Sequence, residues 1–224
     1  MLEKLYSTFI AGGAAKTIFK GLAATLEISF FAIVLGTLLG VGICILRMSR
    51  FKPFSVFARI YISVLRGSPL TMLLMLLYYC VFARTRLDAM WVAVITFGIN
   101  SAAYIAEMFR SAIEGVNKRE IEAALTLGFN KFQVMRYVVL PQAMHIAKPV
   151  YQSTIINTVQ WTSVVGYVTI TDLTRVINNI ASRTMQPLML IIAGMILYIG
   201  IAYLVTGIFA LNDHLSAKLG KGGE

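Results

Sequence analysis

The sequence has little charge for its length. Only 13% of its 224 residues are charged, whereas a water-soluble domain carries about a quarter. It also has only two cysteines, Cys44 and Cys80, at the ends of two apolar runs, which is too few for a disulfide scaffold. These shortages exclude an ordinary soluble enzyme, a disordered tail and a small disulfide-rich domain.

Apolar residues take the place of the missing charge. They make up 58% of the chain, mean hydropathy is +0.77 and the net charge is +10. A basic total can indicate nucleic-acid binding. Combined with long uncharged runs, however, it is typical of a membrane protein whose cytoplasmic loops are rich in Lys and Arg. We therefore expect a membrane protein that binds lipid and no nucleic acid.

Five segments are apolar enough to be candidate membrane spans, each needing about 20 residues. They cover residues 22–46, 54–83, 89–107, 149–171 and 188–211. The sequence shows no second domain or internal repeat, so we expect one all-α transmembrane domain over residues 21–211. The N-terminus lacks a cleavable signal pattern, which predicts that the first span is retained.

The positions of Lys and Arg predict the orientation. One set of connections holds Arg47, Arg50, Lys52, Arg110, Lys118, Arg119, Lys131, Arg136, Lys148, Lys218 and Lys221. The other set is smaller and holds Lys4, Lys16, Lys20, Arg84, Arg86, Arg175 and Arg183. Since cytoplasmic loops carry the excess, the N-terminus is expected outside and the C-terminus in the cytoplasm.

The connection between spans three and four, residues 108–148, is long and helix-like. Apolar residues recur in it at helical spacing, which predicts short amphipathic helices on the cytoplasmic face. Gly128 is expected to break the segment, and Asn130 to cap the helix that follows. Pro141 is expected to end that second helix.

This connection carries a spaced motif. Glu122, Ala123 and Ala124 are followed by Gly128 and then by Leu140 and Pro141. The pattern resembles the EAA loop of the permease subunits of bacterial ABC importers, although Val138 stands where isoleucine is usual. Other stretches resemble the polar amino-acid branch of that family: Gly21, Thr25–Leu26, Arg66–Leu70, Ala103–Glu107 with Arg110, Leu140–Ala143 and Pro149. The similarity covers about residues 21–211.

The resemblance implies a permease subunit that moves a polar amino acid into the cytoplasm, of the glutamate/aspartate, glutamine, histidine or arginine class. It implies three kinds of partner: ABC ATPase subunits, a second permease subunit that is the same or homologous, and an external solute-binding protein. A bacterial inner membrane is the implied location. The sequence has no Gly-x-x-x-x-Gly-Lys-Ser/Thr loop, so we expect no enzyme, no metal and no cofactor in this chain. ATP and Mg²⁺ are expected on the partner ATPase.

The loop motif also makes physical sense as a docking element. Small side chains at Ala123 and Ala124 let a helix lie close against another protein, and Gly128 permits a sharp turn. Glu122, beside Lys118 and Arg119, provides either a contact with the partner or a brace within its own helix. The alternative is a helix on the membrane surface without a partner.

Two charged residues lie within apolar segments and are candidates for the substrate pathway. A charge inside hydrocarbon needs a partner or a water-filled cavity. Glu27 and Arg66 are at similar predicted depths, so we expect an ion pair, or contact between Arg66 and a substrate carboxylate. Gly67, Ser68 and Pro69 should break the helix after Arg66. The alternative is that Arg66 reaches the membrane interface and Glu27 is solvated.

The fourth segment is unusually polar in its middle. Gln160, Trp161, Thr162 and Ser163 are proposed as a gate or pathway element, because polar residues at that depth should face a bundle interior. Hydrogen bonding between packed helices is the open alternative. Trp161 stands where the family often has an acid. Glu107 and Arg110 are expected to pair with each other.

Two rival functions remain open at the level of the sequence. An ion-gradient-driven transporter or channel subunit would call for a repeat or for relay carboxylates at mid-membrane. A structural membrane scaffold would not need ATPase partners. Dependence of uptake on ATP hydrolysis separates these possibilities.

Overall fold

The computed structural model describes residues 14–221, with side chains to His214, and these residues are helical without any strand. Within that range there are nine α-helices: α1 Ala14–Arg47, α2 Lys52–Gly67, α3 Leu70–Leu76, α4 Ala89–Glu114, α5 Lys118–Thr126, α6 Lys131–Val134, α7 Leu140–Trp161, α8 Leu173–Thr184 and α9 Pro187–Lys221. Two π-helical turns, Leu77–Val81 and Met135–Val139, and a 3₁₀ segment, Thr162–Val168, complete the described chain.

Three of these helices are long and apolar enough to cross a membrane: α1, α4 and the part Pro187–His214 of α9. Lys52–Gly67 and Leu70–Val81 add a fourth if they are counted as one broken span. The predicted all-helical, membrane-spanning class is confirmed. The count of five spans and the orientation stay predictions, and Lys4, used for the orientation, lies outside the described residues.

The second predicted span is interrupted where the sequence indicated. Helix α2 ends at Gly67 and Ser68 is extended, with φ −90° and ψ 137°. Pro69 follows, and it disfavours helical backbone in the residue before it. The Ser68 hydroxyl donates to the Val64 carbonyl at 2.7 Å, which satisfies an acceptor at the end of the helix.

Two helix boundaries differ from the sequence prediction. Helix α1 begins at Ala14 rather than near residue 22. The prediction that Pro141 ends a helix is wrong: α6, the turn Met135–Val139 and α7 follow one another without a break. A proline interrupts the regular i to i−4 ladder, and a wider π-helical turn directly before it changes the local hydrogen-bond register.

The chain forms two compact units. The first comprises residues 14–32, Leu70–Phe97 and 155–221; the second comprises Ile33–Pro69 and Gly98–Thr154. Each has its own buried apolar core. In the first unit one cluster is built on Ile28, Leu74, Phe97, Val165 and Val168, and another on Leu173, Val176, Ile177 and Leu190.

In the first unit, α1 packs closely against the start of α8. A Cβ atom added at Gly21 would lie 2.9 Å from the Asp172 carbonyl oxygen, so this approach needs a glycine. One turn later, the Thr25 hydroxyl accepts a hydrogen bond from the backbone N–H of Leu173 at 3.2 Å. These contacts fix where α8 begins.

In the second unit, α1 meets α4 through two glycines. A Cβ atom at Gly36 would lie 2.8 Å from Ser101 Cβ, and one at Gly40 would lie 2.8 Å from Ile105 Cγ2. Glycines four residues apart let two membrane helices approach at backbone distance. This close crossing places α4, which leads into residues 108–148, called the coupling segment after their predicted role.

Candidate functional site

The motif residues lie on a short, well-capped helix outside the apolar spans. Asn117 caps α5, its side chain accepting from the Arg119 backbone N–H at 3.1 Å. At the other end Gly128 has φ +88°, a left-handed conformation that glycine adopts without steric cost. The predicted turn at Gly128 is therefore confirmed.

The two alanines of the motif face opposite environments. Ala124 is 6% exposed and packs in a cluster with Val134, Val139 and Ala143. Ala123 is exposed, as is Glu122 beside it. Thus Ala124 holds α5 to its own unit, and Ala123 remains on the outer face, where it is available to a partner.

Glu122 makes no ion pair with another residue of the part of the chain that the structure describes. Lys118 and Arg119 are both close in sequence, yet neither braces it. Its backbone carbonyl accepts from the Thr126 hydroxyl at 2.9 Å, while its carboxylate is exposed. Between the two roles considered for Glu122, this arrangement favours an outward contact.

Exposed apolar side chains surround the motif. Leu127 is 79% exposed and Phe132 is 72% exposed, with Leu125 and Phe129 also on the surface. Helix α6 is held by a capping box: Asn130 N–H donates to Gln133 Oε1 at 2.8 Å, and Gln133 N–H donates to Asn130 Oδ1 at 2.9 Å. Leu140 and Pro141 are exposed as well. Such an apolar surface outside the spans is typical of a protein contact.

The buried side of α5 is continuous with the core of the second unit. One cluster joins Ala124 and Val134 to Ile105, Met108 and Ala112 of α4 and to Ala143 and Ala147 of α7. A side-chain hydrogen bond from Gln142 Nε2 to Glu120 Oε2 adds a polar link between α5 and α7. A displacement of α5 would therefore be transmitted to both longer helices, because packed side chains resist independent movement.

A cavity of about 330 Å³ in the second unit contains Arg66. Its other lining residues include Tyr104, Glu107, Ser111 and Thr154. The Arg66 guanidinium lies 5.2 Å from the centre of the Tyr104 ring, within the range of a cation–π contact. This places a cation in a site of small-molecule size.

The predicted pair between Glu107 and Arg110 is present. Arg110 Nε donates to Glu107 Oε2 at 2.9 Å, and the same guanidinium also pairs with Glu114. Glu107 thus borders the Arg66 cavity while its charge is compensated from α4 itself.

The four residues proposed for a gate have different environments. Thr162 is fully buried and donates to the Val159 carbonyl at 2.7 Å. Gln160 and Ser163 line a second cavity of about 370 Å³ in the first unit. Trp161, at the end of α7, is half-buried. The structure therefore separates Thr162 from the two residues that face open space.

Glu27 lies on the exposed side of α1, beside Leu26 and Phe30. Because α1 begins at Ala14, Glu27 lies about 20 Å along the helix at 1.5 Å per residue. Glu27 and Arg66 belong to different units, and their pairing stays a prediction.

Residues 15–219 match a protein family described as "Binding-protein-dependent transport system inner membrane component". The chain belongs to this family. A probable amino-acid ABC transporter permease, YckA of Bacillus subtilis, is 34% identical over 197 residues, 88% of this chain and 87% of that protein. The arginine transport system permease ArtQ of Bacillus subtilis is 33% identical, over 81% of this chain and 84% of its own length.

A solved structure agrees with these relatives. The crystal structure of an amino acid ABC transporter with histidines has a chain that is 31% identical, with a TM-score of 0.82. The match covers 89% of this permease and 94% of that chain. The importer family predicted from the EAA pattern is confirmed, and an importer permease is favoured over a channel or ion-gradient transporter. The permease is a multi-pass inner-membrane transport subunit.

Three features of the site were not predicted from the sequence. Gly36 and Gly40 have a Gly-x-x-x-Gly spacing that was available as a signal. Tyr104 was quoted only as part of a family stretch, and its contact with Arg66 has no local signal. Arg175 was counted only as a loop charge, although it lies beside a polar cavity.

Proposed function

We propose that this permease moves a polar amino acid into the cytoplasm as part of an ATP-driven importer. ATP and Mg²⁺ would bind to a separate ATPase, and α5 would dock on it through Glu122 and Ala123. The observation that carries the proposal is that the two faces of α5 have different environments. Its inner face is continuous with the packing of α4 and α7, and its outer face is exposed.

The energetics of that helix favour a protein partner. Exposed apolar groups at Leu125, Leu127 and Phe129 gain about 25 cal/mol for each Å² removed from water. Helix α5 also has exposed charges at Lys118, Arg119 and Glu122, which fit the polar rim of an interface better than hydrocarbon. A docking groove on an ATPase satisfies both requirements.

The remainder of the assembly follows from the same family resemblance. We propose five spans with the N-terminus outside, a second permease that completes the pathway, and an external solute-binding protein that delivers the amino acid to a bacterial cell. Glu27 is exposed between Leu26 and Phe30, so a second permease or a water-filled pathway would have to solvate it.

Uptake by the complete transporter in proteoliposomes tests the class of function. We expect accumulation of an amino acid only with ATP inside the vesicles and with the binding protein present outside. An ATPase variant that cannot hydrolyse ATP is the control. Uptake driven by an ion gradient without ATP would refute the proposal and support the transporter alternative.

Replacing Arg66 with glutamine tests its proposed role in the pathway. The cation lines a cavity of about 330 Å³, and a hydrogen bond to a charged group is worth about 1.5–3 kcal/mol. We therefore expect uptake at limiting substrate to fall roughly tenfold or more. Arg59→Gln is the matched control, because Arg59 is an exposed cation of the same helix outside the cavity. Equal uptake by the two variants would remove Arg66 from the pathway.

A further inference from the structure

A third cavity, which is polar, lies entirely within the first unit. It has a volume of about 450 Å³, and its lining includes Ser163, Gly166, Tyr167, Asp172, Arg175 and Asn178. None of these residues belongs to the coupling segment or to the Arg66 cavity. Hydroxyl, amide and guanidinium donors therefore converge at a place where, of these six residues, only Ser163 has so far been considered for the transport pathway.

Arg175 is a half-buried cation without an acid partner among the described residues, where the ion pairs found are those of Arg110. Within the described part of the chain, its Nη1 donates to two backbone carbonyls, that of Gly166 at 3.2 Å and that of Ile170 at 3.4 Å. Even the partial removal of a cation from water is costly unless an anion or water compensates it. Neutral carbonyl groups provide only part of that compensation.

Asp172 shares the cavity, but its carboxylate is already engaged. Its Oδ1 accepts from the Arg175 backbone N–H and its Oδ2 from that of Thr174, both at 3.0 Å. It is fully buried and caps α8, where the helix dipole favours a negative charge. The acid therefore stabilises the helix, and the Arg175 side chain is left to face the cavity.

The chain around Arg175 is irregular and close-fitting. The 3₁₀ segment Thr162–Val168 ends at Thr169, which has φ 70°, a strained value for a β-branched residue. The Tyr79 hydroxyl holds the segment by donating to the Tyr167 carbonyl at 2.9 Å. A Cβ atom at Gly166 would lie 3.8 Å from Arg175 Cβ and Cδ, so the arginine lies along this segment. Strain of this kind is concentrated at ligand sites and switches.

We infer that this cavity is a second binding position for the carboxylate of the transported amino acid, with Arg175 as its cation and Ser163 and Asn178 as neutral donors. The inference rests on the proposed function. The cavity shares Ser163, Thr174 and Asn178 with the neighbouring cavity of about 370 Å³. That neighbour is lined by Ile177, Ile191 and Met195, and it has room for the rest of the molecule. A bound carboxylate would replace the two carbonyl acceptors of Arg175 and loosen the 3₁₀ segment.

The first test measures the charge and accessibility of the cavity without requiring transport. Ser163→Cys is introduced after Cys44→Ala and Cys80→Ser, and the complete transporter is placed in phosphatidylcholine nanodiscs. The measured quantity is the labelling rate with an anionic methanethiosulfonate divided by the rate with a cationic one. We expect this ratio to be on the order of ten times higher with Arg175 present than after Arg175→Gln, because the local positive charge attracts the anionic reagent. Arg183→Gln, which removes an exposed cation from the same helix, should leave the rate ratio unchanged. If the rate ratio is the same with Arg175 as after Arg175→Gln, the inference is overturned.

The second test identifies the ligand chemistry. Labelling is repeated with glutamate, glutamine, histidine or arginine, and with the α-methyl ester of each. We expect at least one free amino acid to slow the labelling and its ester to leave the labelling rate unchanged. This protection by the free amino acid should be kept in Arg175→Lys and lost in Arg175→Gln. Protection by esters, or protection that appears only with anionic lipid, overturns the inference. Uptake that depends on ATP but is equal in Arg175→Gln and Arg183→Gln would also overturn it, while leaving the proposed function intact.

Discussion

Replacing Ala123 with arginine is expected to abolish coupling to the ATPase without unfolding the permease. Ala123 is exposed on α5, one residue before the buried Ala124. A long charged side chain at this position would hold α5 away from a closely fitting groove and would have to lose its hydration there. A residue at the packed centre of an interface can be worth about 2 kcal/mol or more. We therefore expect at least a tenfold loss of ATPase co-purification and loss of ATP-dependent uptake.

Ala123→Ser is the matched control, because the serine side chain is also small. Its hydroxyl remains in contact with water when no partner is bound. Thermal unfolding of the purified permease should be the same for both variants and the wild type. If Ala123→Arg lowers the unfolding temperature on its own, its effect is structural. If it is stable and still transports at the wild-type rate, the outer face of α5 is not the docking surface.

Local chemistry was the part of the coupling segment that the sequence predicted well. Gly128 was expected to break the helix and Asn130 to cap the next one, and both do so. Each feature depends on a few adjacent residues and on their backbone preferences. The motif spacing added the family, which the relatives confirm.

Pro141 shows where local rules were insufficient. A proline is expected to stop a helix, but here the turn Met135–Val139 precedes it and helix α7 continues. The buried side chains Val139 and Ala143, on either side of Pro141, belong to one cluster with α4. Pro141 is the second residue of α7 and so lies in its first turn, where a proline is tolerated. Sequence periodicity alone does not reveal that a π-helical turn precedes it.

The roles of the two motif alanines and of Arg175 could not be predicted either. Alternation between exposed Ala123 and buried Ala124 depends on which side of α5 meets α4. The environment of Arg175 depends on carbonyls of Gly166 and Ile170 that a strained connection presents. Such information is carried by contacts between elements and is absent from the residue pattern of any one of them.

Replacing Gly40 with leucine is expected to have the largest effect on stability. A Cβ atom at this position would lie 2.8 Å from Ile105 Cγ2, 2.9 Å from Ile105 Cβ and 3.1 Å from the Ala102 carbonyl oxygen. The last of these is backbone of α4 and cannot rotate away. Overpacking typically costs 1–3 kcal/mol, and a whole leucine at a backbone crossing should exceed about 3 kcal/mol on that scale.

Gly42→Leu is the control for this prediction, because it adds the same side chain to the same helix where no atom lies within 4 Å of the new Cβ. It also gains helix propensity of about 0.8–1.0 kcal/mol relative to glycine. We expect thermal unfolding in detergent to show Gly40→Leu strongly destabilised or absent and Gly42→Leu unchanged or slightly stabilised. Because α4 carries Ile105 into the same cluster as Ala124, a Gly40 variant that folds should also lose coupling. Equal stability of the two variants would mean that α1 and α4 do not cross at this glycine.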